Sequence, residues 1–236
     1  MENAHILVVD DDREIAAAIE KLLLLEGYRV TKAYDGMEAM DRLMIEDIHL
    51  IIMDIMMPRL DGLSATMRIR EEKNIPIIII SAKSQDSDKI LGLSMGADDY
   101  VTKPFNPQEL VARVKSQLRR YMLLGDMGNS RKESGIRVGG LVLDEDSKEL
   151  LIDGEHVRLT PTEYGIVELL MKNPGAVFSA EQIYERVWNE TAYSVENTVM
   201  VHIRRIREKI EINPKEPKYL KVVWGIGYKI EKLQQK

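Results

Sequence analysis

The chain is 236 residues long, 44% hydrophobic and 31% charged, which suits a folded protein of one large domain or two ordinary ones. It holds no cysteine, which excludes disulfide frameworks, thiolate metal sites and cysteine nucleophiles and leaves any chemistry to carboxylates, hydroxyls, lysine or histidine. A net charge of -6 argues against an indiscriminate nucleic-acid coat, yet the charge is uneven: residues 1–121 hold 16 Lys+Arg against 21 Asp+Glu, while 201–232 hold nine basic side chains against four glutamates. Met1 to Asp10 show no basic leader or cleavage site, and apolar runs such as Ile77 to Ile80 are far too short to span a bilayer. The expectation is a cytoplasmic protein with no membrane partner.

Along the first half, short β-branched apolar runs alternate with helix-period segments. Ile6–Asp10, Arg29–Ala33, Leu50–Asp54, Ile77–Ser81 and Tyr100–Thr102 read as strands. Ile15, Ile19, Leu22 and Leu23 mark the buried side of the first helix, Asp12 caps its start, and Gly27 stands where a helix end favours a left-handed residue, as does Gly96 later. Strands this apolar are covered on both faces, so residues 1–121 are expected to form an α/β domain with a doubly wound, five-stranded parallel sheet.

Periodicity fails over 122–135, where glycine, serine and asparagine collect among charges, and this stretch reads as a linker. Residues 136–236 then read as an α+β domain. Gly140–Leu143, Glu149–Ile152 and His156–Leu159 are strand-like, with Asp153–Gly154 as a tight turn. Thr160-Pro161-Thr162-Glu163 and Ser179-Ala180-Glu181-Gln182 are capping boxes that open two helices. A third helix is expected from about Ser194 to Glu211, followed by a glycine-tipped hairpin over Lys221–Lys229.

Asp10, Asp11 and Asp54 fall at the carboxyl ends of strands one and three, Ser81 ends strand four and Lys103 follows strand five. Open parallel sheets bind ligands at that edge, so residues distant in sequence converge there. Three carboxylates form a hard oxygen site suited to Mg2+, where one carboxylate can act as a phosphoryl-accepting nucleophile while Lys103 and Ser81 contact phosphoryl oxygens. A purely structural salt-bridge cluster is the alternative, since a lone Asp at a strand end more often caps a helix.

In the third C-terminal helix, Val199, Ile203, Ile206 and Ile210 form the apolar stripe. Helical spacing then puts Asn197, Val201, Arg204, Arg205 and Glu208 outward, with His202 and Arg207 on the flanks. Arginines can address guanine edges and phosphates, and valine a thymine methyl, although an exposed basic face by itself is more often simply solvated.

Ile6-Leu7-Val8-Val9-Asp10-Asp11, Met53-Asp54-Ile55-Met56-Met57-Pro58, Ser81-Ala82 and Lys103-Pro104-Phe105 resemble the flavodoxin-like receiver domain of two-component response regulators. Leu159-Thr160-Pro161-Thr162-Glu163-Tyr164, Val195-Glu196-Asn197-Thr198-Val199, Val201-His202-Ile203-Arg204-Arg205-Ile206-Arg207 and Gly225-Ile226-Gly227-Tyr228 resemble the winged helix-turn-helix domain of OmpR/PhoB-type regulators. Together the two resemblances span nearly the whole chain.

The resemblance implies a DNA-binding transcription regulator, not an enzyme. Asp54 would be phosphorylated by a cognate sensor histidine kinase, with Mg2+ held by Asp11, Asp54, the Met56 carbonyl and, through water, Asp10. Lys103 would bind the phosphate ahead of a cis Pro104, and Ser81 and Tyr100 would form the switch pair. It further implies homodimerisation through Lys89, Asp98, Asp99, Glu109, Arg113 and Arg120, paired across a two-fold as Lys89 with Glu109, Asp99 with Arg113 and Asp98 with Arg120.

On the output side, the helix would enter the major groove of double-stranded promoter DNA with Val201 and Arg205 near bases and His202, Arg204 and Arg207 nearer the backbone; Asn197, Trp224 and Lys229 complete the candidate DNA contacts. The loop Asn189–Tyr193 corresponds to the region that contacts RNA polymerase. One departure stands out: many members carry arginine before Gly-x-Gly-Tyr, where this chain has Trp224, and that puts minor-groove reading by the wing in doubt. Three rivals make different predictions. A phosphatase with an aspartyl-phosphate intermediate usually carries Asp-x-Asp, unlike Asp54-Ile55-Met56, a receiver joined to a protein or RNA adaptor would show no salt-dependent duplex binding, and a DNA-binding regulator that never needs phosphate would bind alike in every condition.

Overall fold

The computed structural model describes residues 4–125, 135–145, 147–190 and 195–233, and the chain divides into two compact units, Met1–Met122 and Leu123–Lys236. In the first unit, strands β1 (His5–Val9), β2 (Arg29–Ala33), β3 (Leu50–Asp54), β4 (Ile77–Ser81) and β5 (Asp99–Thr102) form one all-parallel sheet in the order β2-β1-β3-β4-β5. Helices α1 (Arg13–Leu25), α2 (Gly36–Ile45), α3 (Gly62–Glu72) and α4 (Asp86–Ser94) make the crossovers, and α5 (Pro107–Gly125) follows the last strand. Two apolar clusters result from the period-two alternation of the strands. Ile6, Val8, Ile52 and Ile80 pack with α1 and α5 residues such as Leu23 and Val114, whereas Leu7, Val9, Ile51 and Met53 pack with Leu43 and Ile69 of α2 and α3.

Local signals act as their chemistry requires. Asp12 accepts from the Glu14 and Ile15 amides at 2.8 and 3.2 Å, and Gly27 takes φ 84 at the end of α1. Of the stripe expected on α1, Ile19 and Leu23 are fully buried while Ile15 and Leu22 pack at its margin. α5 continues through Met122–Gly125, residues assigned to the linker by composition; 126–134 lie outside the described residues.

The second unit opens with an antiparallel sheet of β6 (Gly135–Val138), β7 (Leu141–Asp144), β8 (Glu149–Ile152) and β9 (Glu155–Val157), in which β6 was not expected and β9 is shorter than the strand expected at its place. Asp153 and Gly154, at φ 49 and 92, make the predicted two-residue turn. Helices α6 (Pro161–Met171) and α7 (Ala180–Trp188) carry complete capping boxes from Thr160/Glu163 and Ser179/Gln182. α8 runs Glu196–Ile210, and β10 (Leu220–Val223) with β11 (Gly227–Ile230) forms the terminal hairpin. Ser194, the expected start of α8, lies outside the described residues, as does most of the loop Asn189–Tyr193. The unit has its own core, built on Trp188, Ile166, Leu170, Val199, Ile203, Ile206, Leu220 and Ile230. Among the described residues no helix is long and apolar enough to cross a membrane.

Candidate phosphoacceptor pocket and DNA-reading surface

Strands β1 and β3 deliver Asp10 and Asp54 to the carboxyl edge of the sheet, and ligand oxygens of Asp10, Asp11 and Asp54 lie within 4.8 Å of one another. Asp10 and Asp54 are buried and Asp11 is exposed, which leaves the cluster open on one side. Lys103, one residue beyond β5, compensates the buried charge: its Nζ stands 2.7 Å from Asp10 Oδ2 and 3.0 Å from Asp54 Oδ1. The Lys103–Pro104 peptide is cis, as the resemblance implied. The Asp12 amide donates to Asp10 at 3.0 Å and the Met56 amide donates to Asp54 at 3.0 Å, fixing both carboxylates.

Burial raises the Asp54 carboxyl above its ordinary range, with the Lys103 ammonium opposing that rise. Burial by itself would lower Lys103, but its bonds to Asp10 and Asp54 outweigh it and hold the ammonium above the ordinary lysine range. Three clustered oxygen donors without nitrogen or sulfur fit a small hard cation such as Mg2+.

Ser81 is fully buried at the end of β4, and Tyr100 is nearly so. Both engage the backbone of Lys83, whose amide donates to Ser81 Oγ at 3.2 Å while its carbonyl accepts from Tyr100 Oη at 2.8 Å. The Tyr100 ring lies against Gly92 of α4, where an added Cβ would meet ring atoms at 3.0 Å. Lys83 and Gly92 were not singled out in the sequence, because their part lies in a backbone group and in an absent side chain.

The expected dimer residues have partners within one chain. Arg113 bonds both oxygens of Asp99 at 3.0 and 2.9 Å and Glu109 at 2.9 Å, Lys89 pairs with Asp86 at 3.7 Å, and Arg120 donates to Ser116 at 2.9 Å. Asp98 departs from expectation most: it is fully buried and accepts from Arg70 at 2.6 Å and from the Ile77 amide at 3.0 Å. A carboxylate so placed ties β4 to α3 and does not lie on the surface.

In the second unit the outward face of α8 is narrower than its spacing predicts. Asn197 is half-buried and Arg204 and Glu208 are exposed and paired at 3.0 Å, but Val201, His202 and Arg205 are buried. The cause is a charge beneath the helix. Glu163, the capping-box acid of α6, is itself fully buried and pairs with Arg205 at 3.0 Å and Lys209 at 2.6 Å, while the His202 ring lies 5.4 Å from that of Trp188. Arg207 donates to the Leu220 carbonyl at 2.8 Å, joining α8 to β10. Trp224 does not pack on the domain: it is 88% exposed, beside Ile226 at 62%. Lys229 and Lys221 both approach Glu231, at 3.0 and 3.6 Å.

A five-stranded parallel sheet with an acidic carboxyl edge, followed by a three-helix unit with a terminal hairpin, is the architecture of a receiver joined to a winged helix. Residues 6–115 match the family described as "Response regulator receiver domain", and 154–230 match "Transcriptional regulatory protein, C terminal". The chain is similar to the regulatory protein VanRc of Enterococcus gallinarum, 45% identical over 96% of this chain and 98% of that one, and to the response regulator GtcR of Aneurinibacillus migulanus, 42% identical over 95% and 93%. Among solved structures, the Thermotoga maritima OmpR/PhoB homologue DrrB aligns over 97% of this chain and 99% of its own at 32% identity and TM-score 0.51. A RitR mutant shares the fold, with TM-score 0.74 at 24% identity over 98% of this chain and 100% of its own. The chain belongs to the OmpR/PhoB-type two-component response regulators, DNA-binding regulators of transcription.

Proposed function

We propose that Asp54 is the phosphoacceptor through which a cognate sensor histidine kinase controls promoter binding by the winged helix, in the cytoplasm. The observation that carries this is the placement of a buried carboxylate within 3.0 Å of an ammonium and beside two further carboxylates, at the edge where a phosphoryl donor can approach. Asp11, Asp54 and the Met56 carbonyl, with Asp10 through water, would hold Mg2+; when bound, the ion offsets the charge of the carboxylates and of the incoming phosphoryl oxygens. An Asp54 oxygen attacks phosphorus, the phosphorus–nitrogen bond of the phosphohistidine breaks, and its electron pair leaves on the imidazole. Lys103 then turns from Asp54 to the new phosphoryl oxygens, and the Ser81 hydroxyl, released from Lys83, bonds another. Tyr100 sits next to Ser81 along the Lys83 backbone and carries that rearrangement to α4 and β5.

The face of α4, β5 and α5 is the proposed homodimer surface, with Lys89, Asp99, Glu109, Arg113 and Arg120 exchanging partners between chains; Asp98 acts there only by holding β4 and α3. The winged helix presents Arg204 and Asn197 directly, with Arg207, Trp224 and Lys229 at the side of the hairpin. Val201, His202 and Arg205 reach bases or phosphates only if the helix surroundings shift on binding. RNA polymerase is the proposed further partner.

The test is duplex selection by the full chain with and without an acyl-phosphate donor and Mg2+, beside Asp54→Ala. Tighter binding to a repeated site on phosphorylation, lost in Asp54→Ala, supports the reading. Identical binding in all conditions removes the control by phosphate, and absence of selected duplexes removes the promoter.

A further inference from the structure

Of the two tryptophans, Trp188 is fully buried in the core, whereas Trp224 at the hairpin tip is 88% exposed. Its neighbours extend an uncharged patch, with Ile226 62% and Val222 38% exposed. Adjacent exposed apolar side chains on a tip of this kind mark a surface that becomes covered.

The tip is not a floppy loop. β10 and β11 pair from Leu220↔Ile230 to Val223↔Gly227, and the Ile226 amide closes the turn on the Val223 carbonyl at 3.0 Å. Gly225, at φ 73, lets the chain reverse between Trp224 and Ile226, so the two apolar side chains flank a bare residue. Behind the tip, Phe178 and Tyr228 exchange backbone bonds at 2.9 Å in both directions, and Gly227 lies so close to Phe178 that an added Cβ would fall 2.0 Å from its carbonyl oxygen. Leu220 and Ile230 anchor the base in the core.

What covers the patch is indicated by what surrounds it. Arg207 bonds the hairpin's first strand to α8, the helix that exposes Arg204, and Lys221 and Lys229 face each other across the hairpin. A rigid apolar tip held beside cations suits a polyanion with an apolar interior. An indole has no charge to offer a phosphate, but its flat face can stack on bases or wedge between them.

We propose that Trp224, supported by Ile226, is a specificity-determining wedge: it enters the minor groove beside the site held by α8 and pries open a base step. This deepens the promoter-binding reading and rests on it. The wing then selects steps that unstack easily, such as TA or CA/TG, where an arginine would select a narrow groove by its negative potential.

The experiment uses the full chain and a selected duplex carrying 2-aminopurine at successive steps flanking the half-site. Wild type should raise 2-aminopurine emission at one step, and duplex should change the Trp224 emission, obtained as the difference between wild type and Trp224→Phe. Trp224→Ala should abolish the 2-aminopurine signal and weaken binding about tenfold or more, with an unchanged slope of affinity against salt, since no phosphate contact is lost. Trp224→Arg should steepen that slope by about 0.9 and move the preference toward A-tracts. The exposed position predicts that all three variants fold, checked by the near-ultraviolet signal of the Tyr184–Trp188 stack.

If duplex binds but neither emission changes and Trp224→Ala binds as wild type, the wedge is overturned while promoter binding stands. If Trp224→Ala lowers transcription by RNA polymerase without altering duplex affinity, the tip faces a protein and the wedge is again overturned. Should no duplex bind under any condition, both readings fall together.

Discussion

At the scale of single residues, Glu163 has the largest predicted effect on stability. Burial acts to raise its carboxyl, but Arg205 and Lys209 beside it and the Thr160 amide outweigh burial and hold it below the usual carboxylate range. A depressed folded value means that its stabilisation is present above the unfolded value, about pH 4.3, and is lost as pH falls through the folded one. Acid should therefore unfold the winged domain of wild type more steeply than that of Glu163→Gln, measured by urea titration at several pH values. At neutral pH the same substitution takes the carboxylate charge away from two cations, one of them buried, and should cost about 3 kcal/mol. Lys103→Ala leaves Asp10 and Asp54 facing one another without a cation. The expected outcome is a receiver that melts lower without metal and gains more from Mg2+ than wild type does, read by thermal shift with and without the ion.

At the scale of elements, the closest constraint is the start of α3. Gly62 approaches the Asp54 backbone so closely that a Cβ would stand 1.9 Å from its carbonyl oxygen, and the Gly62 amide donates to the Ile55 carbonyl at 3.0 Å. Because the obstacle is backbone, Gly62→Ala should displace the β3–α3 loop, destabilise the receiver by about 1–3 kcal/mol and slow phosphorylation by an acyl-phosphate donor. Preserved stability and rate would show that the loop yields freely. The same reasoning applies to the wing, where Gly227 meets Phe178, so that Gly227→Ala is expected to unseat the hairpin and to impair duplex binding.

At the scale of the whole molecule, the two units have separate cores, and each gathers its own polar network. Fragments 1–125 and 135–236 should therefore fold separately, the first responding to Mg2+ and the second binding duplex without regard to phosphate, as circular dichroism and binding titration would show. The proposed dimer surface belongs to this scale too. Arg113 already spans Asp99 and Glu109 within one chain, so the proposed dimerisation would exchange ion pairs and add few, and its strength should depend weakly on any single one.

Period and chemistry sufficed for much of this. Uniform apolar runs made β1, β3 and β4 legible and the alternation with helix-period segments marked β2 and β5, capping boxes marked α6 and α7, and Asp10, Asp11, Asp54, Ser81 and Lys103 could be assigned to one edge because a parallel sheet carries all its strand ends there. Helical spacing placed the apolar stripe of α8 correctly but could not tell that Arg205 and His202 would be drawn inward, since that depends on Glu163 and Trp188 arriving from α6 and α7. Asp98 is a similar case: beside Asp99 it looks like surface charge, and only the folding of α3 brings Arg70 against it. The sequence by itself determined the sheet and the acidic edge, because these follow from local periodicity and from chain order, while its motifs carried the resemblance that gave the class. The tertiary structure decided which charges remain outside, because burial of an ion depends on a counterion supplied from elsewhere in the fold.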